Sequence, residues 1–150
     1  ATCYIVSGQL GGSNVWDHAK GIHPKPLMDV DQLRAWVAGG QEVGAHTRHH
    51  VDLSVLDDAA ALEEIMACRA DLEPLLGVPV TQFCYPYGRY EPRHAQMVRD
   101  AGYASATTTQ RARTQAADGA YDLPRVPVHQ STTLPLFWAK IATGYEDRPR

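Results

Sequence analysis

Three histidines crowd into five residues, His46, His49 and His50, within the stretch 41–52, QEVGAHTRHHVD. His46 and His50 are four apart. On a helical turn that spacing places both rings on one face, where they can grip one ion. Neutral imidazole suits zinc and similar borderline divalent cations. The same pattern also fits surface or hydrogen-bonded histidines at the start of a loop. Position argues for a site: Val43 and Ala45 suit a short buried strand, and Gly44 permits close approach of backbone or ligand. Sites collect where such strands end in α/β folds.

The flanking elements read as alternating strands and helices. Residues 2–6 (TCYIV), rich in β-branched and aromatic types, predict a buried strand. Asp29 with Gln32 forms a capping-box pattern for a helix carrying Leu33, Trp36 and Val37 on one face and ending at Gly39–Gly40. Asp57 is the expected cap of the longest helix, 58–76, whose inner stripe reads Leu62, Ile65, Met66, Arg69, Leu72 and Leu76. Gly77 and Pro79 end it. A strand follows at 80–84, then a helix at 91–101 with Ala95, Val98 and Ala101 inward. Next come a strand at 103–107, a polar loop at 108–121 and an edge-like strand at 123–128. Thr132 or Thr133 caps a last helix with Leu136, Phe137 and Ile141 inward, and 146–150 is a polar tail. Parallel strands joined by helices are the expected class.

Two loops carry further candidates. Residues 7–27 are long, glycine- and proline-rich, and hold Asn14, Trp16, Asp17, His18 and His23. Trp16 suits either a sugar-binding rim or an anchor pinning the loop to the core. His18 and His23 read as solvent-facing. The tetrapeptide YPYG, residues 85–88, is a rigid turn lined by Tyr85 and Tyr87.

The 150 residues fit one domain, 1–150. A net charge of −3, with arginines scattered apart from groups such as Arg111/Arg113, gives no nucleic-acid footprint. No apolar run is long enough for a membrane span and no signal peptide stands in these residues. The compartment, cytoplasmic or exported, stays open. Cys3, Cys68 and Cys84 match neither a disulfide framework nor a zinc knuckle.

HTRHH after one strand, FCYPYG after the next, GYASATTT after the third and LPRVPVH near the end resemble, in that order, the polysaccharide deacetylase family, the NodB-homology carbohydrate esterases. The resemblance covers nearly the whole chain. It implies an α/β fold, a distorted and incomplete (β/α) barrel of the NodB-homology type. It further implies metal-dependent hydrolysis of an N-acetyl group on an amino sugar of a poly- or oligosaccharide. His46 and His50 match the histidines that hold the divalent metal, zinc being the first expectation, while His49 has no ligand role. Tyr87 matches the third-motif tyrosine, whose neighbouring backbone N–H meets the oxyanion, and Cys84 stands where many relatives have an arginine. His129 is the candidate general acid, although Pro127–Val128–His129 departs from the usual leucine-x-histidine. Trp16, Tyr85 and Tyr87 would contact the sugar. The family's first motif, Thr-Phe-Asp-Asp-Gly, has no counterpart here, so a first strand is expected to be missing and to lie upstream of Ala1. An N-acetylated glycan is the expected partner, and a homodimer would be one way to close the exposed barrel edge. Two other readings stay open: a non-catalytic carbohydrate-binding relative, and an amidohydrolase acting on a small non-glycan amide.

Overall fold

A computed structural model describes residues 1–115 and 119–145. The polar tail expected at 146–150 lies outside the described residues. Five strands form one parallel sheet in sequential order: β1 (Thr2–Ile5), β2 (Glu42–Ala45), β3 (Gln82–Cys84), β4 (Ser105–Arg111) and β5 (Leu123–Arg125). Helices α1 (Val30–Ala38), α2 (Asp58–Leu76) and α3 (Pro92–Asp100) connect them, and α4 (Leu134–Ala142) follows β5. The sheet is an open arc with β1 and β5 at its two edges, the incomplete barrel expected from the sequence. Pro124 inside β5 is compatible with that edge place, because an edge strand needs hydrogen bonds on one side only.

Local chemistry sets the helix starts. The Asp29 carboxylate accepts from the Gln32 N–H while Gln32 Oε1 accepts from the Asp29 N–H, a complete capping box. Asp57 caps α2 by accepting from the Ala60 N–H, and Gly77 ends it at φ 69°, a conformation open to glycine at little cost.

One sheet face meets the helices. Ile5, Val43, Ala45, Phe83 and Ala106 stand in register on that face. They pack with Leu33, Ile65, Cys68, Leu72 and Val98 from the helices. The opposite, concave face is polar. Glu42 accepts from Thr2 Oγ1 (2.7 Å) and Gln82 Nε2 (2.8 Å), and the Tyr4 hydroxyl donates to Gln82 Oε1 (3.3 Å). The close approach expected at Gly44 is made by Tyr4, whose ring covers the glycine; a Cβ there would lie 2.6 Å from the ring carbons.

Several expectations are corrected. Met66, placed on the inner stripe of α2, is half exposed; Ala61, Ala67 and Cys68 take the buried positions. Phe137 and Ile141 of α4 face outward, because that helix sits apart from the sheet. The polar stretch after residue 107 continues as strand to Arg111, where β-branched threonines suit a half-exposed strand paired on both sides. On α3 the residue missed was His94. It is fully buried, and its Nδ1 accepts from the Glu91 N–H at 2.9 Å.

Candidate functional site

His46 leaves the C-terminal end of β2 and enters a loop, not a helical turn. The helical geometry expected for the H-x-x-x-H pair is therefore absent. Two left-handed residues do its work: Thr47 at φ 62° and His50 at φ 58° fold the chain back on itself. Such angles are uncommon for a histidine and a strained outlier for a β-branched threonine. Thr47 is fully buried, and its Oγ1 has no hydrogen-bond partner among the described residues. The result brings His46 and His50 edge to face, with ring centroids 4.8 Å apart and planes at 76°.

Each ring is oriented through Nδ1. His46 Nδ1–H donates to the Cys84 carbonyl oxygen at 2.6 Å; because a carbonyl only accepts, Nε2 is left with a free lone pair. His50 Nδ1 lies 3.3 Å from the Tyr87 hydroxyl. Neither Nε2 has a hydrogen-bond partner among the described residues. Burial lowers the pKa of both imidazoles. For His50, burial and then the neighbouring His46 bring it down to about 4. At neutral pH both rings are uncharged, the form that ligates a metal.

Aromatic rings wall the pair. Trp16 stacks on His50, with centroids 4.2 Å apart and planes at 14°, and Tyr87 meets His50 edge-on at 4.8 Å. The loop tryptophan is thus an anchor against the candidate ligand itself. Lys20 sits 4.8 Å above the Tyr87 ring and pairs with Asp17 at 3.0 Å. Asp17 also accepts from Asn14, and hydrogen bonds from Lys20 and Asn14 hold its carboxyl below the usual range. It therefore stays charged close to His50. Asp17 was named in the 7–27 stretch without a role and Lys20 was not named; their i, i+3 spacing, which the short 3-10 helix Val15–Lys20 turns into an ion pair, is the signal that could have marked them.

The YPYG turn divides its two tyrosines. Tyr87 has φ 59° and is 38 % exposed at the site. Tyr85 is 1 % exposed, stacked on Tyr90 at 4.5 Å, with its hydroxyl donating to the Tyr121 carbonyl. Tyr85 is therefore a core residue with no open face for a sugar, because the period of two from Phe83 turns it toward the helices. The turn closes with Gly88 N–H on Tyr85 O (3.0 Å) and Arg89 N–H on Pro86 O (3.1 Å). Neither bond uses the Tyr87 N–H. Gly88 is required: at φ 68°, a Cβ would fall on the Thr109 side chain.

His49 pairs with Glu64 at 2.6 Å, away from the histidine pair. His129 lies in an exposed turn, its N–H on Thr132 Oγ1, and no contact joins it to His46, His50 or Tyr87 among the described residues. Cys84 is buried and contributes its carbonyl.

Two neutral imidazoles fit a borderline divalent ion in kind, and the anionic Asp17 nearby favours a cation. Among the described residues no third His, Cys, Asp or Glu joins the pair as a ligand group.

The sequence profile of the family described as polysaccharide deacetylase matches residues 1–106. The chain belongs to the polysaccharide deacetylase family. YxkH of Bacillus subtilis (strain 168), assigned by name to these deacetylases, is 25 % identical over 122 residues, which are 81 % of this chain and 44 % of YxkH. A polysaccharide deacetylase of Bacillus cereus superposes with a TM-score of 0.77 at 22 % identity, covering 93 % of this chain and 41 % of that one. The Streptococcus pyogenes deacetylase PplD, solved in complex with acetate, gives 0.80 at 20 % identity over 94 % and 58 %. The structural matches share the fold, and the chain spans less than two thirds of each of these relatives.

Proposed function

We propose that residues 1–150 act as one domain in metal-dependent hydrolysis of an N-acetyl group on an amino sugar of a poly- or oligosaccharide. Zinc is the first candidate ion. One observation carries this reading: His46 and His50, both neutral, converge at a strand end with Nε2 unclaimed. Family membership supports a deacetylase-type reaction.

A divalent ion bound there would polarise the acetyl carbonyl and acidify a water. His46 and His50 would hold it, with the Cys84 carbonyl and the Tyr87 hydroxyl fixing the rings in place. Trp16 and Tyr87 would exclude water from one side and offer aromatic surface to the sugar. The Tyr87 N–H would serve the developing oxyanion. His129 would supply the leaving amine's proton.

Calorimetric zinc titration tests the reading. The chain should take up one equivalent, and His46→Ala should abolish uptake with its circular dichroism unchanged. Uptake unaltered in that variant would disprove the ligand assignment. A second reading, a glycan-binding relative without catalysis, draws on the absence of a third ligand group among the described residues. Glycan binding with no acetate released from a zinc-loaded sample and N-acetylglucosamine oligomers would favour it.

A further inference from the structure

Two arginines stand side by side where β4 and β5 end. Arg111 and Arg125 are register partners on neighbouring parallel strands, and both line one cavity of about 390 Å³ with Thr109 and residues 126–128. Like charges directly opposite across a strand pair cost stability. Elsewhere the fold neutralises such groups: Arg34, Arg48, Arg69, Arg89 and Arg93 each reach a carboxylate. Among the described residues no carboxylate pairs with Arg111 or Arg125. Arg125 uses its Nε–H on the Thr108 carbonyl (2.6 Å), which steadies the guanidinium and leaves its terminal nitrogens for something else.

The cavity adjoins the histidine site. Thr109 lines it, and its hydroxyl also reaches the Tyr87 carbonyl at 3.5 Å. Thr107 is the register partner of both Cys84 and Leu123, so the period of two along β5 puts Arg125 on the face that carries Cys84 and Tyr4, and Arg111 joins it as register partner beyond an irregularity between Thr107 and Arg111. The Arg125 charge is felt at both of those groups. β2 and β5 are three strand spacings apart, about 14 Å along the sheet. An extended ligand lying across the strands from His46 would pass Tyr87 and Thr109 and arrive at the arginines.

We propose that this cavity binds an oxyanion, a carboxylate or a phosphate, carried on a sugar unit neighbouring the one presented to the histidines. Paired guanidinium forks match either group bidentately. The neighbouring-sugar part rests on the deacetylase reading; the anion site does not.

The test titrates the chain and its R111Q/R125Q variant with neutral, uronate-bearing and phosphorylated N-acetylglucosamine oligomers, and with glucuronate and inorganic phosphate alone, at low and high salt. An acidic oligomer should bind about 10-fold more tightly than the neutral one, the scale of one charge-assisted contact. The variant should lose that factor and its salt dependence and keep neutral binding unchanged. The carboxylate and phosphate arms identify the anion. Equal binding of acidic oligomers by chain and variant, or oligomer binding with no preference for acid over neutral, would each overturn the proposal. If neutral oligomer binds without that preference, this inference falls and the deacetylase reading survives. If only the small anions bind, and only to the unaltered chain, the anion site stands and the deacetylase reading falls.

Discussion

Gly44→Ala has an effect whose sign depends on one ring. Gly44 lies in β2 with ordinary strand geometry, so the backbone tolerates alanine. Replacing a strand glycine under those conditions stabilises by about 0.4–1 kcal/mol, through the unfolded chain's lost freedom. Here the new Cβ would meet Tyr4 Cδ1 and Cε1 at 2.6 Å and the Gln82 carbonyl at 3.1 Å. Overpacking of that kind costs about 1–3 kcal/mol, and the contact is with the ring's body, not a flexible tip. The variant should therefore be destabilised, with its melting temperature lower by roughly 2–4 °C per kcal/mol for a chain of this size. Urea unfolding of the four members of a Tyr4→Ala/Gly44→Ala cycle measures the coupling. Without the ring, alanine should regain its stabilising sign; the backbone term cancels in the cycle, leaving a coupling energy equal to the overpacking cost, about 1–3 kcal/mol. Because the Tyr4 ring centroid is 6.5 Å from that of His46, the displaced tyrosine should also weaken zinc uptake. A Gly44→Ala protein melting at or above the parent, or a coupling near zero, would refute the packing argument.

Trp16→Ala removes the ring stacked on His50, so stability should fall by about 0.5–1.5 kcal/mol and glycan affinity should drop while zinc uptake persists. Loss of zinc uptake instead would make Trp16 a scaffold of the pair. His94 governs an acid limb. Burial depresses its pKa, with Arg93 adding to that and Glu91, Asp58 and Asp52 opposing. Below about pH 6.5 the unfolded chain binds a proton that the folded chain resists. Stability contributed by neutral His94 is present above that pH and is lost as pH falls toward the folded value. His94→Gln keeps an acceptor for the Glu91 N–H and should flatten the loss between pH 7 and pH 5. Parallel urea midpoints for parent and variant over that range would show that His94 does not titrate there.

Much of the fold is written in local chemistry. The Asp29/Gln32 box, the Asp57 cap and Gly77 delimit helices without help from the rest of the molecule, because caps satisfy backbone groups a few residues away. Alternating strands and helices implied a parallel sheet, which the five-stranded order shows. Facing was less legible. Met66 and the apolar side of α4 look inward by type, yet orientation depends on which neighbour arrives, and α4 has little to pack against.

The site divides along the same line. Residue types and order alone marked His46 and His50 and the family, since motif chemistry survives in one dimension. That the pair meets through left-handed Thr47 and His50, that Trp16 stacks on one ring, and that Tyr85 turns into the core while Tyr87 stays at the site are products of tertiary packing. So is the pairing of Arg111 with Arg125, fourteen positions apart in the chain and adjacent only through strand register. Contacts between distant residues are set by how elements stack, and no local pattern encodes that.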